Sequence, residues 1–280
     1  MESHDSSCTT HMRKVPVPGG ELYFERTGSG PALIFIHAGF ADRREWAFQV
    51  AALSKNFDII VYDQRGAGNS SIPQSDFSTA ADVKALMDYL NLRKVTIVGH
   101  SIGGTIALDF ALQYPESVSA LVLLAPGLNG HNWSKEYLEW MQSIWSDPRP
   151  DEMTRKFLEA PFYSVCVSEP RARDKIETMT RESLEKALSW KPVEVHWFFP
   201  QAILKLADIK APTLLMFGGK DSQDIKEIAG QIGKSNIAVK TVELADTDHM
   251  LNFEKPHEVN SLIAEFLTDG HLIVKTSFRI

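Results

Sequence analysis

Cysteine is scarce: the 280-residue chain holds only Cys8 and Cys166. Two distant thiols make neither a disulfide framework nor a cysteine-ligated metal cluster. A reducing compartment follows as the simple expectation, and with it a cytoplasmic location. No run approaches the ~18 apolar residues that a membrane span needs. Residues 1–14 are polar and lack the apolar stretch of a secretory signal. Positive charge is not in excess either, since 29 Lys and Arg face 36 Asp and Glu for a net charge of −7. That balance argues against nucleic acid and anionic membrane as partners. Internal repeats and low-complexity tracts are missing. The hydrophobic fraction of 44% and charged fraction of 23% are those of an ordinary soluble globule. The length allows one large α/β domain, or a core with a smaller inserted one.

The most informative stretch is Lys94 to Gly104. Val95 to Val98 is a β-branched run that reads as a buried strand. Thr105 to Tyr114 is rich in Ala and Leu and reads as a helix. Between them Gly99-His100-Ser101-Ile102-Gly103 fits G-x-S-x-G. In a strand–turn–helix context this pattern lifts the serine hydroxyl above the sheet and aims the following N–H at the group it attacks. The bland alternative is an ordinary turn serine.

Other strands are expected at Leu22–Glu25, Ala32–Ile36, Asp58–Tyr62, Ala120–Leu124, Thr213–Phe217 and Val239–Leu244. Helices are expected at Trp46–Leu53, at Thr79–Leu90 with Thr79 and Asp82 as a capping box, and from Pro256 onward. Alternation of strand and helix implies a doubly wound, mostly parallel sheet. The rhythm breaks over residues 128–207, where only helical patterns appear. This segment is expected to be a helical cap inserted above the strand ends, with 15–127 and 208–268 forming the core. Residues 1–14 and 271–280 read as disordered tails.

A serine hydroxyl needs a base within hydrogen-bond reach, and the base needs an orienting carboxylate. Loops past strand ends supply both. Gly218-Gly219-Lys220-Asp221 places Asp221 as orienting acid, with Asp224 as its alternative. Ala245-Asp246-Thr247-Asp248-His249 places His249 as base, Asp246 and Asp248 reading as solvated turn residues. The bland alternatives are a turn-forming aspartate and a surface histidine. His37, His100, Asp63 and Arg65 read as structural, and His196 as packing within the cap.

The chain resembles α/β-hydrolase fold proteins with a helical cap, of the esterase, lactonase and C–C hydrolase type. The resemblance covers about residues 15–268. It is carried by His37-Ala38-Gly39-Phe40 with Trp46, by Asp63 to Ser70 as D-x-R-G-x-G-x-S, by the Ser101 turn, and by His249 with Glu254 and Pro256. It implies Ser101 as nucleophile, His249 as base then acid, and Asp221 as its orienter. It also implies an oxyanion hole from the N–H groups of Ile102 and Gly39, with Phe40 as fallback. The family usually has His-Gly where this chain has His37-Ala38, which leaves open the choice of donor in that loop.

The function this implies is a cofactor-free, metal-free serine hydrolase acting on an ester, lactone or activated carbonyl of a small apolar molecule. Rival readings are a C–C bond hydrolase, a haloperoxidase or perhydrolase-like enzyme, and a ligand-binding receptor on the same fold. The expected partner is a small-molecule substrate, with room for a homo-oligomer. The cap segment is rich in aromatics, and Phe40, Trp140, Met141 and Phe162 are the candidate pocket walls. The bland alternative is that a small helical unit needs such side chains for its own core.

Overall fold

A computed structural model describes residues 11–235 and 238–268. Eight strands follow in chain order: β1 His11–Val17, β2 Gly20–Gly28, β3 Ala32–Ile36, β4 Asp58–Tyr62, β5 Val95–His100, β6 Val118–Leu124, β7 Thr213–Gly218 and β8 Val239–Leu244. They form one sheet in the order β1-β2-β4-β3-β5-β6-β7-β8. The β1–β2 and β2–β4 pairs are antiparallel and the others parallel. Both faces are covered, so β4 and β5 are buried at every residue and read as continuous apolar runs rather than alternating ones. Each fully buried aliphatic or aromatic side chain contributes about 1.5–3 kcal/mol by leaving water.

The core helices are α1 Ala47–Leu53, α2 Thr79–Tyr89 and α3 Ile102–Gln113, followed after the insertion by α8 Gln223–Lys234, α9 Leu251–Glu254 and α10 Pro256–Thr268. Between β6 and β7 lie α4 Lys135–Trp145, α5 Pro150–Leu158, α6 Ser164–Ser168 and α7 Pro170–Ala187. These four helices enclose their own apolar cluster of Ile144, Met153, Phe157, Tyr163, Ile176, Met179 and Leu184. Met250, just before α9, and Phe253, within it, complete that cluster from the core side.

Several expectations need correction. His11 to Lys14, expected in a tail, pair with β2 in register, from His11 opposite Arg26 to Lys14 opposite Tyr23, and so extend the hairpin that turns at Val17 and Gly20. Residues 1–10 and 269–280, with Cys8, lie outside the described residues. The cap of α2 is Ser78, whose hydroxyl accepts from Ala81 N, while Asp82 turns away to pair with Arg65 at 2.6 Å. His196 is not packed: its side chain is half exposed beside Glu194.

Candidate active site

Ser101 sits at the junction of β5 and α3 with φ 53° and ψ −117°. A non-glycine residue there stores about 1–3 kcal/mol of strain. The surroundings hold it in place: Ser101 N donates to Leu124 O at 3.0 Å, and Ser101 O accepts from Gly104 N at 2.9 Å and Gly127 N at 2.8 Å. The turn needs its flanking glycines. A Cβ at position 99 would lie 2.3 Å from Gly103 O, and one at position 103 would lie 2.2 Å from Ile36 O.

The loop after β8 carries His249 and the loop after β7 carries Asp221. His249 Nδ1 faces Asp221 at 2.9 Å to Oδ2 and 3.2 Å to Oδ1. Both residues are buried. A carboxylate facing Nδ1 assigns the proton to that nitrogen and leaves the Nε2 lone pair as the basic site. Burial pulls the His249 imidazole toward its neutral form, but the Asp221 charge and hydrogen bond outweigh it, so its pKa stands above the ordinary 6.5. The ring is packed by Phe162 at 5.9 Å and Tyr163 at 5.6 Å between centroids, and His249 N donates to Phe162 O at 3.1 Å.

The structure therefore brings His249 and Asp221 together. Ser101 Oγ makes no hydrogen bond among the described residues, so the third link of the expected relay is not closed in this arrangement. Without substrate, nucleophile–base contacts are often long and tighten in the reacting complex.

Gly39, Phe40 and Ile102 each have an N–H with no partner among the described residues, whereas Ala38 N donates to Glu45 Oε2 at 2.8 Å. A Cβ on Gly39 would lie 3.8 Å from Ile102 Cγ2, so the oxyanion loop and the start of α3 adjoin. Gly39 and Ile102 can thus offer two free donors to one oxygen, with Phe40 behind them at φ 55°. His37 shapes this loop: its Nε2 accepts from Gln64 N at 3.0 Å, which leaves Nδ1–H to donate to Ala38 O at 2.7 Å.

The alternative acid, Asp224, is committed elsewhere. It accepts from Ser134 N at 2.8 Å and Ser134 Oγ at 2.6 Å, and faces His131 Nε2 at 3.1 Å. Burial alone would raise its carboxyl, but these three contacts hold it below the usual range. Asp248 is not solvated as expected; it is fully buried and accepts from Val165 N at 2.6 Å. Beside it, burial and the Asp248 carboxyl push Glu254 up to about 9.

The pocket residues divide. Phe162 touches the base, as above. Phe40 lines a narrow void beside Gly39 with Phe157, Tyr163 and Met250. Trp140 donates to Lys156 O at 3.2 Å and meets Phe162 edge-on at 5.0 Å, and Met141 packs on the same cluster. These two serve the insertion's core. A larger cavity of about 150 Å³ borders Ile102, lined also by Tyr62, Gln64, Arg65, Phe77, Trp190 and Trp197 among others. Sequence reasoning missed it, because no local pattern shows that Trp190 folds over the turn after β4.

A family model described as the alpha/beta hydrolase fold matches residues 31–256. The chain belongs to the alpha/beta hydrolase fold family. Among curated relatives, uncharacterised proteins of Mycobacterium bovis and Mycobacterium tuberculosis are 39% identical over 114 residues. That match spans 40% of this chain and only 33% of theirs, so the chain covers about a third of the first relatives' length. Carboxylesterase YbfK of Bacillus subtilis is 26% identical over 86% of this chain and 81% of its own. Its crystal structure superposes with a TM-score of 0.78 at 22% identity, covering 94% and 93% of the two chains. A 2-hydroxy-6-oxononadienedioate/2-hydroxy-6-oxononatrienedioate hydrolase of Burkholderia vietnamiensis is 26% identical over 94% of this chain and 97% of its own. As in other doubly wound sheets, this alpha/beta hydrolase carries its candidate groups beyond the carboxyl ends of the strands.

Proposed function

We propose that this chain is a cofactor-free serine hydrolase that cleaves an ester, lactone or activated carbonyl of a small apolar molecule through an acyl-enzyme. The observation that carries the reading is the Ser101 turn: a strained serine beside uncommitted N–H groups of Gly39 and Ile102. The Asp221–His249 pair supports it by supplying a base in the right tautomer.

In this reading His249 Nε2 takes the Ser101 proton as Oγ attacks the carbonyl carbon. The Gly39 and Ile102 N–H groups hold the developing oxyanion. His249 then gives the proton to the leaving oxygen, and a water activated by the same ring releases the acid. The helical insertion acts as the cap, and the cavity beside Ile102 accepts the apolar part of the substrate. A cytoplasmic location fits the unpaired, buried Cys166 thiol. Among the described residues no helix is long and apolar enough to cross a membrane.

C–C bond hydrolysis is the second reading, favoured by the near full-length similarity to the Burkholderia hydrolase. Incubation with a fluorophosphonate and mapping of the adduct by mass spectrometry tests the serine assignment. Labelling at Ser101 is expected; an unlabelled Ser101 in folded protein overturns it. A panel of esters, lactones and vinylogous diketones then separates the two readings.

A further inference from the structure

One buried carboxylate meets both halves of the candidate machinery. Glu45 lies in the 3-10 turn Arg43–Trp46 and is wholly buried, as is His100, the last residue of β5. Glu45 Oε2 accepts from Ala38 N at 2.8 Å, in the oxyanion loop. Glu45 Oε1 meets His100 Nδ1 at 2.6 Å and accepts from Asn252 Nδ2 at 3.2 Å. His100 Nε2 in turn meets the backbone carbonyl of His249 at 2.8 Å. The two histidine rings lie 5.0 Å apart.

The hydrogen inventory constrains this network. A carbonyl oxygen can only accept, so His100 Nε2 must carry a proton. Glu45 accepts from an amide N–H on one oxygen and an Asn N–H on the other, and its 2.6 Å contact with His100 Nδ1 holds a proton between the two side chains. The pair keeps its place in the interior because both Glu45 oxygens and both His100 ring nitrogens are hydrogen-bonded.

The geometry points to Glu45 as a positioning residue: acting through His100 on the His249 carbonyl, and directly on Ala38 N–H, it sets the base and the oxyanion loop against Ser101 from a single anchor. The loop holding His249 has no other side-chain hydrogen bond to the Ser101 strand among the described residues. Ala38 is also the residue just before the free N–H of Gly39. Losing the anchor frees both loops at once, and a displacement near 1 Å at a reacting centre lowers rate by about 10²-fold. The inference rests on the assignment of Ser101 and His249 proposed above.

The test compares wild type with Glu45→Gln, Glu45→Met and the double variant Glu45→Met/His100→Met, using a short-chain p-nitrophenyl ester. Turnover is expressed per Ser101 titrated with fluorophosphonate. Glu45→Met deletes the acceptors at similar volume. The double variant removes both polar side chains, so neither is left buried without its partner. Glu45→Gln can still accept from Ala38 N and donate to His100 Nδ1 and, once the Asn252 amide turns over, to Asn252 Oδ1, which has no partner at present.

Both Met variants should lower kcat per titrated serine about 10²-fold with KM within threefold of wild type. Glu45→Gln should recover at least a tenth of wild-type kcat. A merely structural role would lower melting temperature or titratable sites and leave kcat per site unchanged. Folded double variant with kcat within twofold of wild type overturns the inference, as does equal loss of kcat in Glu45→Gln and Glu45→Met. Wild type that fails to label at Ser101 overturns the hydrolase reading instead, which keeps the two failures apart.

Discussion

The sheet core and the helical insertion contribute to the site in opposite ways. The core supplies the polar side chains: Ser101, Asp221 and His249 all come from loops at strand ends. The insertion presents rings to the base, through Phe162 and Tyr163, and no acid or base to the Asp221–His249 pair. The contacts joining the two regions follow a matching rule. Core carboxylates accept from backbone N–H groups of the insertion at four points: Asp224 from Ser134, Asp248 from Val165, Asp76 from Glu194 and Asp109 from Phe198. In the reverse direction Lys186 of α7 donates to the carbonyls of Ala67, Gly68 and Ser70 in the turn after β4. Apart from the side chains of Lys186, Ser134 and His131, these bonds use the insertion's main-chain N–H groups. Under the proposed function its pocket-facing residues can vary without unseating it, which assigns substrate choice to them.

The comparison breaks if any group of the insertion can replace a core one. Ser101→Ala should reduce kcat on the order of 10⁶-fold while leaving the circular dichroism spectrum and melting temperature near wild type. Alanine keeps the Cβ and with it the same strained φ, so stability is little changed. Asp221→Asn should cost about 10⁴-fold in kcat, since the base loses its tautomer and orientation. The pH profile adds a sign. In the proposed mechanism His249 acts as a neutral base, so kcat/KM should rise as pH passes its pKa, which Asp221 holds above 6.5. The acid limb of wild type should lie above pH 6.5, and in Asp221→Asn its midpoint should fall.

Smaller effects sharpen the boundary between the regions. A Cβ at Gly66, where φ is 72°, would sit 1.8 Å from Trp190 Cζ2. Gly66→Ala should therefore displace Trp190 from the cavity beside Ile102, raise KM several-fold and speed proteolysis near residues 188–200, at a stability cost of about 1–3 kcal/mol. Steady-state kinetics and limited proteolysis check it. Asp109 gives the smallest effect. Burial pushes its carboxyl up to about 6 although Phe198 N and Asn129 Nδ2 donate to it. The folded state then holds the proton more tightly than the unfolded chain, so stability falls as pH rises between about 4 and 6. Asp109→Asn should raise the melting temperature by a few degrees at pH 8, a gain of roughly 2 kcal/mol or less, and give none at pH 4. Calorimetry at the two pH values reads the difference.

Most of the core was legible because its signals are local. Parallel strands covered on both faces appear as unbroken runs, as at Ile34–Ile36 and Val95–Val98, and the Ser101 turn is a five-residue pattern with a strand before it and a helix after it. Asp221 and His249 were found from loop position alone, and they meet at 2.9 Å. What escaped was nonlocal. Asp224 is the alternative acid by loop position, yet it bonds Ser134 and His131, each about 90 positions earlier in the chain. Asp248 looked solvated, and it lies at 0% exposure because α6 covers it. Glu45 gave no signal, since a lone acid before a tryptophan reads as surface until His100, 55 residues on, is placed against it.

Sequence alone determined the alternation of strand and helix, the extent of the apolar runs, and the serine held between two glycines, because each of these depends on neighbours within a few residues. Tertiary structure decided which carboxylates reach a histidine, which N–H groups stay uncommitted, and which aromatics pack on one another or line a cavity. Those outcomes depend on the packing of segments from 28 to 207 residues apart, where burial and hydrogen-bond pairing select one arrangement among many that the same local patterns allow.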